Sequence, residues 1–101
     1  MKRLIALTVL SALPLYTASA LASFELAAKN KCMTCHQVDK KVLGPAFKQV
    51  ASKYKGQKNA EALLVDSMLK GSKAKWGKIP MPPQKIAPKD ALALSKWILS
   101  L

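Results

Sequence analysis

Two cysteines and one histidine are the residues in this chain whose spacing points to specific chemistry. Cys32, Cys35 and His36 form a Cys-x-x-Cys-His motif. This spacing is the attachment signature of a c-type haem, in which each thiol adds to a vinyl group of the porphyrin and the histidine binds the iron. The motif therefore predicts one haem c, covalently bound through Cys32 and Cys35, with His36 as an axial ligand.

Two other kinds of site use paired cysteines at this spacing. A dithiol redox pair of the thioredoxin type needs neighbouring strands, and a zinc site needs two further ligands. Nothing near Cys32 alternates in hydropathy like a strand, and the chain has no third cysteine and no second histidine. The sequence favours haem attachment, and a dithiol oxidoreductase stays open as the competing enzyme hypothesis.

The first residues have the pattern of a secretory signal peptide. Lys2 and Arg3 precede a mostly apolar run, which is followed by small residues in two cleavage patterns. The run is shorter than the ~20 apolar residues that a membrane-spanning helix needs, which argues against a retained anchor. We expect cleavage after Ala22, so that 1–22 is a signal peptide and 23–101 is one small periplasmic domain.

Apolar residues recur at helical spacing along the remaining chain, and no segment alternates like a strand. Ser23 and Asn59 are candidate N-caps, and Pro45 and Pro88 are suited to the first turns of helices. The sequence predicts an all-α domain whose four short helices span 23–31, 45–55, 60–70 and 88–101. Because such a small domain has a limited core, a bound cofactor would add to its stability.

A long proline-rich segment separates the last two predicted helices. Residues 71–87 cannot form a regular helix, and a loop of this length in a small domain needs a reason. Wrapping one face of a flat cofactor would supply that reason. The segment contains Met81 between Pro80 and Pro82, and a thioether ligand opposite a histidine raises the reduction potential of haem.

Two other methionines are weaker candidates for the second iron ligand. Met33 lies within the attachment motif, where its short tether cannot reach the opposite haem face, and Met68 lies on an apolar helix stripe. Met81 is therefore the predicted axial ligand. If Met81 did not bind, the iron would have an open site, and the protein would be a haem sensor or a weak peroxidase.

The chain is strongly basic, with 17 Lys and Arg residues against 5 Asp and Glu residues. Removal of Lys2 and Arg3 with the signal peptide leaves 15 basic residues against 5 acidic ones. This balance suits acidic proteins and anionic membrane surfaces. Nucleic acid is excluded as a partner, because the protein is exported and its lysines are not interleaved with aromatic side chains.

Five segments together resemble the short monohaem class I cytochromes c of bacteria, which donate electrons to periplasmic nitrite reductases and terminal oxidases. These segments are Cys32 to His36, Gly44-Pro45, Trp76-Gly77, Ile79 to Pro83 and Lys96 to Leu99. The resemblance implies an all-α fold of about four helices around one haem, with the first and last helices crossing. It also implies that the Pro45 carbonyl accepts a hydrogen bond from the His36 ring, and that the Trp76 indole donates to a haem propionate.

This chain departs from the family pattern at two positions near the predicted site. Lys31 precedes the first cysteine where many relatives have glycine, and Gln84 stands three residues after Met81 where many have asparagine. The local turn at Lys31 and the hydrogen bonding of the Met81 sulfur therefore do not transfer from the resemblance.

The expected function is one-electron transport by a monomeric periplasmic carrier that is not an enzyme. The partners expected are acidic redox proteins, namely a reductase, an oxidase or a quinol-oxidising complex, with transient association to a membrane surface. Five lysines are candidates for steering such partners to the haem edge. They are Lys31, Lys40, Lys41, Lys78 and Lys85.

Overall fold

The structure of the protein is a computed structural model that describes residues 16–101. The basic residues and most of the apolar run of the predicted signal peptide lie outside this range. The described part contains four α-helices, α1 Tyr16–Lys29, α2 Phe47–Tyr54, α3 Ala60–Lys70 and α4 Pro88–Leu99, and a 3₁₀ turn at Cys32–Thr34. Since these residues form no strand beyond one isolated bridge, the all-α prediction is confirmed.

Helix α1 begins earlier than the sequence predicted. The expected start with Ser23 as N-cap is wrong, because the helix already runs from Tyr16 and Ser23 lies in its interior. Residues 16–22 include three alanines and a leucine, which favour helix, and contain no proline or glycine to stop it. The predicted cleavage bond after Ala22 therefore lies within α1. Across residues 16–101, no helix is both long and apolar enough to cross a bilayer.

Helix α1 ends at Lys29, two residues earlier than predicted, because the chain turns sharply before the first cysteine. Lys31 has φ 62° and ψ 18°, in the left-handed region that glycine favours. A lysine in this conformation costs about 1–2 kcal/mol relative to the right-handed helix region. Many relatives have glycine at this position, and here Lys31 adopts the left-handed conformation that a glycine would favour.

Helix α2 starts two residues after the predicted position at Pro45. The amide of Phe47 donates to Gln37 O at 2.9 Å, and the amide of Lys48 donates to Val38 O at 3.1 Å. These hydrogen bonds tie the start of α2 to the loop that follows the cysteine motif, so Pro45 lies outside the helix. Helix α3 begins after Asn59 as predicted, but the Asn59 side chain makes no capping hydrogen bond.

Helix α4 is the centre of the packing, since α1, α2 and α3 all contact it. Its buried residues are Ala91, Leu94, Ser95 and Ile98. Ala91 and Ala27 of α1 are fully buried, and side chains this small let helix backbones approach closely. The expected contact of the first and last helices is present.

Three backbone hydrogen bonds hold the segment between α3 and α4, which has no helix of its own. Ser72 and Met81 form an antiparallel pair, with N–H to O distances of 2.9 Å from Ser72 to Met81 and 2.8 Å from Met81 to Ser72. The amide of Gln84 donates to Met68 O at 2.7 Å, near the end of α3. These bonds place Met81 at a defined position beside α3.

The packing of α4 leads to a stability prediction. Leu94 is 1% exposed, so Leu94→Ala should lower the free energy of unfolding by about 2–5 kcal/mol through lost burial and a cavity. Leu92 on the same helix is 39% exposed, and Leu92→Ala should cost less than about 1 kcal/mol. Urea unfolding of both variants tests this, and equal losses would contradict the assigned core.

Candidate cofactor site

One cleft brings together all six residues that the sequence singled out for the site. It encloses about 1230 Å³ of space free of protein atoms, part of it open to solvent, which is enough for a large flat ligand. Its other walls include core residues of α3 and α4, among them Leu64, Met68, Leu94 and Ile98. The six predicted residues that line it are Cys32, Cys35, His36, Pro45, Trp76 and Met81.

A short hydrogen bond sets the orientation and the proton position of the His36 ring. His36 Nδ1 lies 2.7 Å from Pro45 O, and the ring is buried. A carbonyl oxygen can only accept, so Nδ1 carries the proton and donates it. In the neutral ring Nε2 is then the unprotonated nitrogen, and this is the form that binds metals.

Two residues near Pro45 in the sequence, Gly44 and Phe47, also lie against the His36 ring. The Phe47 ring stacks on the imidazole, with centroids 4.9 Å apart and an interplanar angle of 20°. A Cβ added to Gly44 would lie 2.5 Å from His36 Cε1 and 2.9 Å from Nδ1. Gly44 is therefore required by close approach, since any larger residue would collide with the imidazole.

Cys32 and Cys35 are half-buried free thiols at one wall of the cleft. Burial raises the pKa of the Cys32 thiol, a backbone hydrogen bond opposes this, and the nearby Cys35 adds to the rise. No group of three or more His, Cys, Asp or Glu side chains that could hold a metal ion is found within residues 16–101. The alternative of a zinc site has no support in this part of the chain.

Met81 reaches the same cleft from a different element, the segment after α3. It is half-buried, and its backbone is paired with Ser72. Gln84 Nε2 donates to Pro82 O at 2.7 Å, so this amide is engaged by the loop backbone. One of the two N–H donors of this amide is therefore used by the loop.

Trp76 lines the cleft from the same segment and is half-buried. The ammonium of Lys53, on α2, lies 4.7 Å from the centroid of the Trp76 ring. This cation–π contact links the loop to a helix of the core. The predicted hydrogen bond from the Trp76 indole to a propionate stays a prediction.

The donor set of the cleft fits a covalently bound haem. Two thiols lie beside an imidazole whose Nδ1 proton is already engaged, and a thioether lines the cleft from another segment. The apolar core side chains around them would surround a flat macrocycle. Thiols for two vinyl groups and a histidine for the iron are what a c-type haem requires, and the thioether is a candidate for the second axial position.

Comparison with known proteins agrees with this fit. Residues 22–101 match the family described as cytochrome c. The chain belongs to the cytochrome c family. It is a haem-based electron carrier of the small class I type with one covalent c-type haem.

Individual cytochromes c are similar to the chain over most of its length. Cytochrome c-551 of Pseudomonas aeruginosa is 48% identical over 77 residues, 75% of this chain and 74% of that protein. Cytochrome c-552 of Nitrosomonas europaea is 47% identical over 83 residues, 81% of each chain. The crystal structure of wild-type Nitrosomonas europaea cytochrome c552 gives a TM-score of 0.76 at 47% identity, covering 77% of this chain and 98% of that chain.

Three residues around the site were not assigned a role by sequence reasoning. Gly44 was noted only as part of a Gly-Pro pair, Phe47 only as part of the apolar stripe of α2, and Lys53 not at all. The Gly44-Pro45 pair eight and nine residues after His36 was the available signal for Gly44. No sequence signal exists for Lys53, because its contact with Trp76 joins segments that are distant in the chain.

The close approach at Gly44 leads to a prediction for the haem-loaded protein. Gly44→Ala should lower the free energy of unfolding by about 1–3 kcal/mol and change the haem spectrum, because the new Cβ displaces the His36 ring. Gly56→Ala is the control, since a Cβ at Gly56 meets no atom within 4 Å although its φ is +90°. It should cost stability through backbone strain but leave the spectrum unchanged. Identical spectra for both variants would contradict the close packing of Gly44 on His36.

Proposed function

We propose that the protein is a periplasmic one-electron shuttle whose iron is held by His36 and Met81. The observation that carries the proposal is the placement of these two donors in one cleft by separate segments, with His36 Nδ1 engaged by Pro45 O at 2.7 Å. When bound, the haem supplies a reversible ferrous–ferric couple. With both axial positions filled by the protein, no substrate would bind to the iron.

The contributions of the chain to this function are orientation and exclusion of water. Pro45 O holds the proton on Nδ1, which orients the ring and increases the basicity of Nε2. The Ser72–Met81 pair limits the backbone freedom of the thioether segment. The buried side chains of α3 and α4 provide a medium of low polarity, so the environment of the iron changes little when its charge changes.

Export is the second part of the proposal. We infer that residues 1–22 are removed and that 23–101 functions in the periplasm. Cleavage after Ala22 would leave residues 23–29 of α1 in place, including Ala27, which is fully buried. The part of α1 that contributes to the core would therefore be kept, and Leu21, which is 64% exposed, would be lost.

The electrostatics of the cleft support an acidic partner. Lys31 and Lys75 are the charged side chains that line it, and no Asp or Glu does so among the described residues. Leu43 and Ile79 also line it and are 54% and 63% exposed, which provides an apolar contact at its mouth. We infer transient docking of a monomer to an acidic reductase, oxidase or quinol-oxidising complex, with a membrane surface as a second attractive site for the same positive charge.

Removal of the thioether tests the ligand assignment. Met81→Ala should abolish the far-red charge-transfer band of the ferric protein and lower the reduction potential by on the order of 0.1 V, a part of the ~0.8 V range that axial ligands span. Met68→Leu is the matched control, since Met68 also lines the cleft but lies in the buried core. It should keep the band.

Both variants should stay red and keep haem during denaturing electrophoresis, because the covalent bonds from Cys32 and Cys35 to the haem do not depend on Met81. A wild-type protein without the far-red band would favour the alternative of a haem sensor or weak peroxidase with an open axial site. A colourless wild-type protein would favour the alternative of a dithiol oxidoreductase that uses Cys32 and Cys35.

Steering by lysines predicts a salt-dependent rate. Electron transfer to an acidic redox protein should slow by about tenfold or more between ~10 and ~200 mM ionic strength, because the Debye length shortens from about 30 Å to below 10 Å. Stopped-flow measurements on the wild type and on a variant with Lys31, Lys40 and Lys41 changed to Gln test this. The variant should show a weaker salt dependence, and a flat wild-type profile would rule steering out.

A further inference from the structure

The contact between Lys53 and Trp76 indicates that Lys53 affects the haem through Trp76. Lys53 lies on the surface of α2, and its Nζ is 4.7 Å from the Trp76 ring centroid and 5.5 Å from the Tyr54 ring centroid. Trp76 and Tyr54 both line the cleft. The ammonium thus stands beside two aromatic side chains of the cofactor cleft.

The loop that carries Trp76 has little support of its own. Residues 73–80 lie between the paired residues Ser72 and Met81, and within the described part of the chain no backbone hydrogen bond holds them. Ala74 in this loop has φ 59°, which is unfavourable for a residue with a Cβ. The position of the indole therefore depends on side-chain contacts.

Helix α2, which carries Lys53, is packed into the core and can hold the Trp76 loop in place. Its residues Phe47, Val50, Ala51 and Tyr54 are buried, and the helix packs on α4. Lys53 projects from this helix, and among the described residues it forms no salt bridge with Asp or Glu, unlike Lys48 and Lys70. Its charge is therefore available to the aromatic ring and to an anionic group beside that ring.

We propose that Lys53 is a positioning residue for Trp76, holding the indole against the cleft so that its N–H faces a haem carboxylate. This inference rests on the proposed binding of haem in the cleft. The ammonium stabilises the indole by cation–π attraction and adds a positive charge beside the cofactor. Because the ferrous haem is less positive than the ferric haem, a nearby cation favours the reduced state.

The test compares three variants of the haem-loaded protein, Lys53→Gln, Lys53→Arg and Lys58→Gln. Lys53→Gln removes the cation, and Lys53→Arg keeps a cation that stacks on indoles. Lys58→Gln removes one charge from an exposed lysine that has no cation–π contact in residues 16–101. The first measurement is hydrogen exchange of the two tryptophan indole N–H groups by NMR, with Trp97 as the internal reference.

Lys53→Gln should speed exchange at Trp76 about two- to fivefold, the factor expected from losing an exposed cation–π contact, and leave Trp97 unchanged. Lys53→Arg should restore the wild-type rate. The second measurement is the equilibrium constant for reduction, which Lys53→Gln should lower about twofold, as for a unit charge on the order of 10 Å away in a water-like dielectric. Lys58→Gln should change both the Trp76 exchange rate and the equilibrium constant for reduction less than Lys53→Gln does.

Equal effects of Lys53→Gln and Lys58→Gln on either measurement, or a failure of Lys53→Arg to restore the exchange rate, would overturn the proposal. Haem retention in denaturing electrophoresis and the far-red band are recorded on the same samples. A loss of those two signals in the wild type would refute the proposed haem site itself. The two failures are thus distinguishable.

Discussion

The hydrogen bond between His36 Nδ1 and Pro45 O is the interaction on which the site depends. It engages Nδ1 and leaves Nε2 as the unprotonated nitrogen of the neutral ring, the form that can bind a metal. Gly44 and Phe47, which lie in the same segment as Pro45, approach the ring closely. This segment leads directly into α2, so the orientation of the imidazole is tied to a helix of the core.

The rest of the fold brings a second segment, which carries Met81, to the same cleft. Helix α4 contacts the other three helices, and the loop that leaves α3 is closed by the Ser72–Met81 pair before it reaches α4. Met81 can therefore face the cleft without belonging to any helix. A proline-rich loop suits this task, because its fixed dihedral angles reduce the conformational entropy lost on folding.

Charge and exposure are distributed in a way that fits transient electron transfer. The described residues that line the cleft include lysines but no carboxylate, and apolar side chains such as Leu43 and Ile79 are exposed beside it. In the proposed function, long-range attraction would bring an acidic partner near, and a small apolar contact would permit rapid release. Lys53 is also positively charged, but its ammonium lies over the Trp76 ring.

The sequence by itself determined the class of cofactor and the helical architecture. Haem attachment depends on five consecutive residues, and helix periodicity is likewise local, so both could be predicted from Cys32 to His36 and from the apolar stripes. Tertiary structure decided the left-handed turn at Lys31, the pairing of Ser72 with Met81 and the contact of Lys53 with Trp76. These depend on packing between segments far apart in the chain, where competing local preferences are overridden by contacts that no spacing pattern records.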